Sequence, residues 1–342
     1  MTTPVLEDTE LRRLLDSTRY PLQYHALVVE VTAQCNAACA MCYQSAGPRG
    51  SDALGAATLD TDSVLRVIRE AMGIEAMDPR VHITGGEAFL RPGPLLRMLE
   101  EARRSGYRDI VTTTNATWAR NPARARHLAE QLGAAGLTRI AISWDHWHRP
   151  FIRPAWVEHC VNACADAGIE CQLRIATSRD HGAQEALELL DPAVLDRVDR
   201  ISGSPVQLIG RAASALDPAE VFQSGSLDRS CHSTLSVTVN AWGNVFPCCS
   251  GFDQTTARLI GNVRDEPLPQ IVERMGRTPL IRVLVLGGIA KLYSLLGEDI
   301  TAGGRYKGIC HACWSLFDDP GRARQAEAAL DELVRAAAWE QP

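Results

Sequence analysis

Three thiols crowd one short stretch, AQCNAACAMCYQ, in which Cys35, Cys39 and Cys42 are spaced C-x3-C-x2-C. Thiolates this close can take three corners of a metal site, and no fourth cysteine or histidine lies close by in sequence, so one metal position stays open. Structural zinc wants four ligands and closes its shell. An iron–sulfur cube held by three cysteines leaves one iron free for a further ligand. The alternative is a zinc knuckle whose fourth ligand comes from afar.

A second set lies beyond residue 225. RSCHSTLSVTVNAWGNVFPCCSG carries Cys231 and the adjacent pair Cys248 and Cys249, and GICHACWSLF carries Cys310 and Cys313. C-x2-C is a common two-ligand bite for zinc or iron, and with Cys231 and one of the pair it makes four thiolates and a closed site. Neighbouring side chains on an extended chain point to opposite faces, so one cysteine of the pair is left for a separate role. Cys160 and Cys164, four apart in a helical pattern, and Cys171 in a strand-like run read as buried small apolar residues.

The elements that must position these groups alternate. Strand-like runs near 26–32, 80–84, 109–114, 138–143, 170–176 and 199–208 are separated by helical patterns such as DSVLRVIREAM and GPLLRMLEEARRS. Repeated β–α units predict a parallel sheet with ligands at the carboxyl ends of its strands. Past residue 225 the rhythm stops, and a hairpin is expected around NAWGN. PLIRVLVLGGIAKLYSLLG, interrupted by Arg282 and Lys291, is expected to form a helix packed on a core.

The 342 residues are 46% hydrophobic, enough for one large domain and a smaller one. A net charge of −6 with scattered arginines gives no footprint for nucleic acid or an anionic membrane. No signal peptide is evident, so a cytoplasmic protein is expected, and its eleven cysteines suit metals or catalysis rather than a disulfide framework.

The three-cysteine loop after a first strand resembles that of the radical S-adenosylmethionine (SAM) superfamily, in which the open iron binds the amino and carboxylate groups of SAM. VHITGGEAFLRP supplies Gly85, Gly86 and Glu87 after a strand, DIVTTTNATWA supplies Asn115, and RIAISWDHWHRPF supplies Ser143 and Asp145. The resemblance implies that the glycines admit the ligand, that Glu87 pairs with the SAM ammonium, that Asn115 faces the cofactor, and that Ser143 and Asp145 lie near the ribose. Arg174 is the further candidate for the SAM carboxylate. Asn115 and Asp145 also read as helix caps, and the GGE as a turn. The fold implied is α/β, a partial (β/α)6 barrel over 26–224 after an N-terminal helical lead at 1–25.

The cysteine, the hairpin with Gly243 five residues before Cys248, and the distant C-x2-C resemble the twitch form of the SPASM domain. That likeness implies a small auxiliary domain over 225–320, followed by a C-terminal helix at 321–342. Its second [4Fe–4S] cluster would be held by Cys231, Cys248, Cys310 and Cys313.

TGGEAFL, ISWDHWHRPF, GNVFPCCS and ICHACWSLF together resemble the YydG-type radical SAM peptide epimerases. The resemblance implies abstraction of a Cα hydrogen from a ribosomally made peptide by the 5′-deoxyadenosyl radical. Cys249 would return a hydrogen atom from the opposite face, and His148 would face SAM or substrate. Cys249 otherwise reads as a packed, inert thiol, and His148 as a structural hydrogen-bonding group. One departure is the hairpin strand TLSVTVNAWG, which lacks the aspartate of that family's pattern; Ser236 stands nearest its place. A twitch-type oxidoreductase, dehydrogenating a small molecule or cross-linking a peptide, is the competing expectation, and a zinc or redox-sensing protein leaves the GGE unexplained. Only 34 residues precede Cys35, so the peptide is expected to bind in the barrel mouth or to be delivered by another protein. A flavodoxin-like or other low-potential donor completes the expected partners.

Overall fold

The computed structural model describes residues 13–231, 235–248, 259–302 and 304–339. Six strands, β1 (Leu27–Glu30), β2 (Arg80–Thr84), β3 (Asp109–Thr114), β4 (Arg139–Ser143), β5 (Glu170–Thr177) and β6 (Arg200–Pro205), alternate with helices. They pair in parallel with their chain neighbours, each pair joined by a helix-containing crossover.

The helices start and stop where local chemistry dictates. Asp60 accepts from Ser63 N–H at 2.8 Å to cap Thr61–Met72, and Asn121 caps Pro122–Ala135 through the N–H groups of Ala123 and Arg124. Pro92–Ser105 begins on proline and ends at left-handed Gly106, φ 93°. Their apolar faces bury Val64, Ile68, Leu95, Leu99, Ala129 and Leu132 against Val29, Ile83, Ile110, Ile142 and Leu173 of the sheet. Each large aliphatic side chain so buried contributes about 1.5–3 kcal/mol.

Alternation leaves the opposite face of the sheet polar, with His82, Thr113, Ser143, Gln172, Arg174 and Ser202 on it. His82 Nε2 lies 2.7 Å from Thr113 Oγ1, and Gln172 donates to Ser202 at 3.0 Å. Burial, with Arg174, Arg139 and Arg80 nearby, lowers the His82 pKa to about 3, so its imidazole is neutral.

Beyond residue 225 the sheet continues. β7 (Val237–Val239) runs parallel beside β1, then β8 (Asn244–Phe246) and β9 (Gly261–Asn262) add antiparallel, giving the order β6-β5-β4-β3-β2-β1-β7-β8-β9. The expected hairpin turn is present: Asn240 Oδ1 accepts from the N–H groups of Trp242 and Asn244, and Gly243 takes φ 85°.

The late apolar segment departs from expectation. It is not one helix: Pro279–Arg282 runs into a π turn at Val283–Gly287, and Ile289–Leu295 starts afresh. Gly288 makes the break at φ 92°, where a Cβ would lie 2.5 Å from the Arg229 carbonyl oxygen. Arg282 does not interrupt the packing, being fully buried and donating to the carbonyls of Leu14, Asp16, Tyr20 and Gly276. These helices, with Ile309–Phe317 and Pro320–Trp339, enclose a second apolar cluster around Tyr293, Leu316 and Phe317. Among the described residues no helix is long and apolar enough to cross a membrane.

Candidate active site

The loop after β1 carries Cys35, Cys39 and Cys42, and its shape is fixed by backbone bonds. Cys35 N–H reaches the Gly47 carbonyl at 2.9 Å, and Cys42 N–H reaches that of Cys39 at 3.1 Å. Arg211, just past β6, donates to the carbonyls of Cys39, Ser45 and Ala46 at 2.7–2.9 Å while its Nε holds Asp52 at 2.7 Å. Gly210 brings it close, since a Cβ there would stand 2.0 Å from the Tyr43 carbonyl oxygen. Arg211 was not anticipated from sequence, because one arginine in a loop carries no local signal and its partners lie about 160 residues away.

The sulfurs sit in a small apolar cluster with Ala37, Ala46 and Trp147. Ala37 N–H and Asn115 Nδ2 point at Cys35 Sγ, at 3.4 and 3.6 Å. Burial, then the Glu87 charge, pushes the Cys35 thiol up to about 12, and burial raises Cys42 as well. Such thiols ionise when a cationic metal centre supplies the compensating charge. Three soft donors, N–H groups aimed at sulfur and a dry wall fit an iron–sulfur cube with one iron open.

The glycines approach the loop rather than open space. A Cβ on Gly86 would lie 2.1 Å from the Gln34 carbonyl oxygen, and one on Gly85 2.6 Å from that of Thr32. Gly86 and Glu87 donate their N–H groups to those two carbonyls, so the end of β2 is laced to the start of the cysteine loop.

Glu87 is 3% exposed and accepts from Phe89 N–H (3.1 Å), Thr114 Oγ1 (3.0 Å) and Asn115 N–H (2.8 Å). Burial outweighs these bonds and raises its pKa to about 7. A cationic partner would restore the carboxylate, which is the environment an ammonium group needs. Asn115 also donates to Asn36 Oδ1 at 3.0 Å, joining the β3 end to the loop.

Asp145 is 1% exposed. One oxygen accepts from Trp147 N–H, His148 N–H and His148 Nδ1, the last at 2.8 Å, and the other from Ala176 N–H at 3.1 Å. It clamps the ends of β4 and β5 together. His148 is buried; burial opposes its charge, but Asp145 and Cys39 outweigh it and raise its pKa well above the ordinary value. Ser143 pairs with Arg174 across β4 and β5, half-buried and exposed respectively, on the polar face. The structure therefore gathers Glu87, Asn115, Asp145 and His148 around the cysteine loop, with Ser143 and Arg174 on the sheet face beneath it.

The second cysteine set also converges. Cys313 lies within the apolar cluster of the last helices, and Cys231, Cys248 and Cys310 pack against it. Helix Ile309–Phe317 presents Cys310 and Cys313 one turn apart. Burial, then the Cys310 charge, raises the Cys231 thiol to about 11. Four thiols from three segments, one buried in this apolar cluster and three half-buried against it, fit a second iron–sulfur cluster. Cys249 lies outside the described residues. Cys160, Cys164 and Cys171 are fully buried in the main core, packed as expected.

Two family models match the chain. The radical SAM superfamily matches residues 29–193, and SPASM, an iron-sulfur cluster-binding domain, matches residues 231–314. A probable GTP 3′,8-cyclase of Methanothermobacter marburgensis is 28% identical over 130 residues, 38% of this chain and 37% of that one. The GTP 3′,8-cyclase of Heliobacterium modesticaldum is 33% identical over 121 residues, 35% of this chain and 34% of its own. The chain thus spans about a third of the length of these relatives. The solved structure of anSMEcpe with bound AdoMet superposes with TM-score 0.53 at 13% identity, covering 92% of this chain and 95% of that one, a likeness of fold.

Proposed function

From a chain that carries a radical SAM domain and a SPASM iron–sulfur domain, and so is a radical SAM enzyme using SAM, a [4Fe–4S] cluster and a further iron–sulfur cluster, we propose the inversion of a peptide α-carbon. The residue inverted belongs to a ribosomally made peptide, as in the YydG-type epimerases its motifs resemble. The match to the cyclases, a third of either chain, carries no substrate to this one.

The observation behind this reading is where the two cysteine sets enter the fold. The loop with Cys35, Cys39 and Cys42 follows the carboxyl end of β1. Cys248 follows Phe246 and Pro247, and the Pro247 carbonyl accepts from Ser236 N–H just before β7, which is level with Leu27 at the amino end of β1. The cysteine loop and Cys248 thus approach β1 from opposite ends, and its four residues span about 10 Å at about 3.3 Å per residue. Inversion needs a hydrogen atom removed from one side of a carbon and returned from the other.

When bound and given one electron, SAM would supply the hydrogen-abstracting 5′-deoxyadenosyl radical for the Cα hydrogen. Cys35, Cys39 and Cys42 would hold the cluster, while Glu87, Asn115, Ser143, Asp145 and Arg174 would line the SAM site beside it, with Gly85 and Gly86 setting the loop that Glu87 needs. His148 fixes the wall between Asp145 and Cys39. Cys249, next to the ligand Cys248, gives its S–H hydrogen to the carbon radical and becomes a thiyl. An external low-potential donor of flavodoxin type returns one electron and water one proton. Ser236, whose N–H donates to the Pro247 carbonyl, stands nearest the place of the family's aspartate. Cys249→Ala tests the assignment: 5′-deoxyadenosine should still form while the D-residue is lost, and an unchanged yield of D-residue would remove Cys249 from the mechanism.

A further inference from the structure

A third constellation, apart from both cysteine sets, lies at the carboxyl ends of β4 and β5. His146 and His181 stack face to face, centroids 3.3 Å apart and planes 16° apart. Both direct Nδ1 at one carboxylate: His146 lies 3.3 Å from Glu185 Oε1, and His181 3.0 Å from Oε2. The potential ligand atoms all fall within 4.8 Å of one another.

We infer that His146, His181 and Glu185 form a binding site for a divalent zinc-like cation with at least one coordination position left open. Ligands about 2.0–2.1 Å from a tetrahedral metal are separated by about 3.3 Å, close to the 3.3 and 3.0 Å that separate the two Nδ1 atoms from the Glu185 oxygens. Two imidazoles and a carboxylate are a donor set of metal sites that keep a place for water or a ligand oxygen. The three side chains are between 29 and 38% exposed, so an ion reaches them from solvent.

The surroundings hold the ligands in place. Asp145 fixes the turn that carries His146, and His181 is set by Ser178, whose Oγ accepts from His181 N–H and whose own N–H donates to the His181 carbonyl. Arg149 also grips Glu185 Oε1, a supporting cation of the kind that orients a ligating carboxylate. Trp147 lies nearly perpendicular to both rings, at 5.5 and 5.7 Å between centroids, and packs on the Cys35–Cys39 loop. The site thus shares one wall with the radical-generating centre. It stands independently of what the barrel acts upon. The competing arrangement, two neutral rings donating from Nδ1 to Glu185 with no ion, predicts no retained metal.

The test uses anaerobically reconstituted holoenzyme, stripped of loosely held metal with a mild chelator, titrated with zinc sulfate and desalted. Elemental analysis should find about one zinc per chain above the iron complement, and His146→Ala/His181→Ala should lose that zinc while keeping its iron. No retained zinc in the wild type, or equal zinc in the double variant, overturns the site. Should the double variant lose iron through misfolding, Glu185→Gln decides: it preserves shape but removes the anionic ligand, so zinc affinity by chelator competition should fall at least about tenfold. Unchanged affinity would overturn the proposal.

Discussion

The two cysteine sets are held by different physics. The first is pinned by polar bonds: the loop of Cys35, Cys39 and Cys42 is fixed by Arg211 and by the β2 end at Gly86 and Glu87. The second is enclosed by packing, with Cys313 buried among Tyr293, Leu316 and Phe317 and its three partners at the edge of that cluster. A site that must present one open metal position to a cofactor needs a loop of fixed shape. A site whose four protein ligands close the shell needs mainly to be dry.

This contrast can be broken at its strongest point first. Replacing Cys35, Cys39 or Cys42 with Ala should abolish SAM cleavage, measured as 5′-deoxyadenosine by chromatography. Retained cleavage would show that the radical arises elsewhere. Next, Cys310→Ala or Cys313→Ala should lower the iron content by about one cluster's worth while leaving the low-temperature electron paramagnetic resonance signal of the first cluster. An unchanged iron content would mean that the second pocket holds no cluster.

A smaller effect should separate the two modes of support. Arg211→Ala removes bonds to three loop carbonyls without touching a sulfur, so SAM cleavage should fall about 10–100-fold with the second cluster's iron retained. An equal loss at both centres would show that Arg211 serves general stability instead.

The smallest concerns Glu87. Its pKa is raised to about 7 in the fold from an ordinary 4.5. The folded state then holds a proton that the unfolded chain has released, so this contribution to stability is present below about pH 4.5 and is lost as pH rises through about 7. The shift corresponds to roughly 3 kcal/mol at most. Denaturant melts of the cofactor-free chain across pH 5–8 should show Glu87→Gln less sensitive to pH than the wild type; identical slopes would mean that Glu87 ionises freely.

Much of the barrel was legible because its strands and helices have different periods. CQLRIAT alternates cleanly, and Cys171, Leu173 and Ile175 do face the helix-covered core. Thiol spacing identified both sets, since ligands close in sequence leave a local trace. What escaped was non-local. The role of Arg211 depends on a loop that precedes it by some 160 residues, and the bend at Gly288 depends on the approach of Arg229. His146 and His181 were likewise invisible as a pair, because only the pairing of β4 with β5 brings their loops together. The sequence also gave no sign that β7 would join β1 and carry the hairpin onto the barrel sheet.

The central claim is that hydrogen leaves one side of an α-carbon and returns from the other through an exchangeable thiol. The direct measurement is mass spectrometry of a candidate ribosomal peptide substrate after incubation with reconstituted enzyme, SAM and reductant in heavy water. A product that gains a single deuterium on carbon, and keeps its mass in ordinary water, is the predicted result. A product that has lost two hydrogens would contradict the account and make the second cluster an electron acceptor.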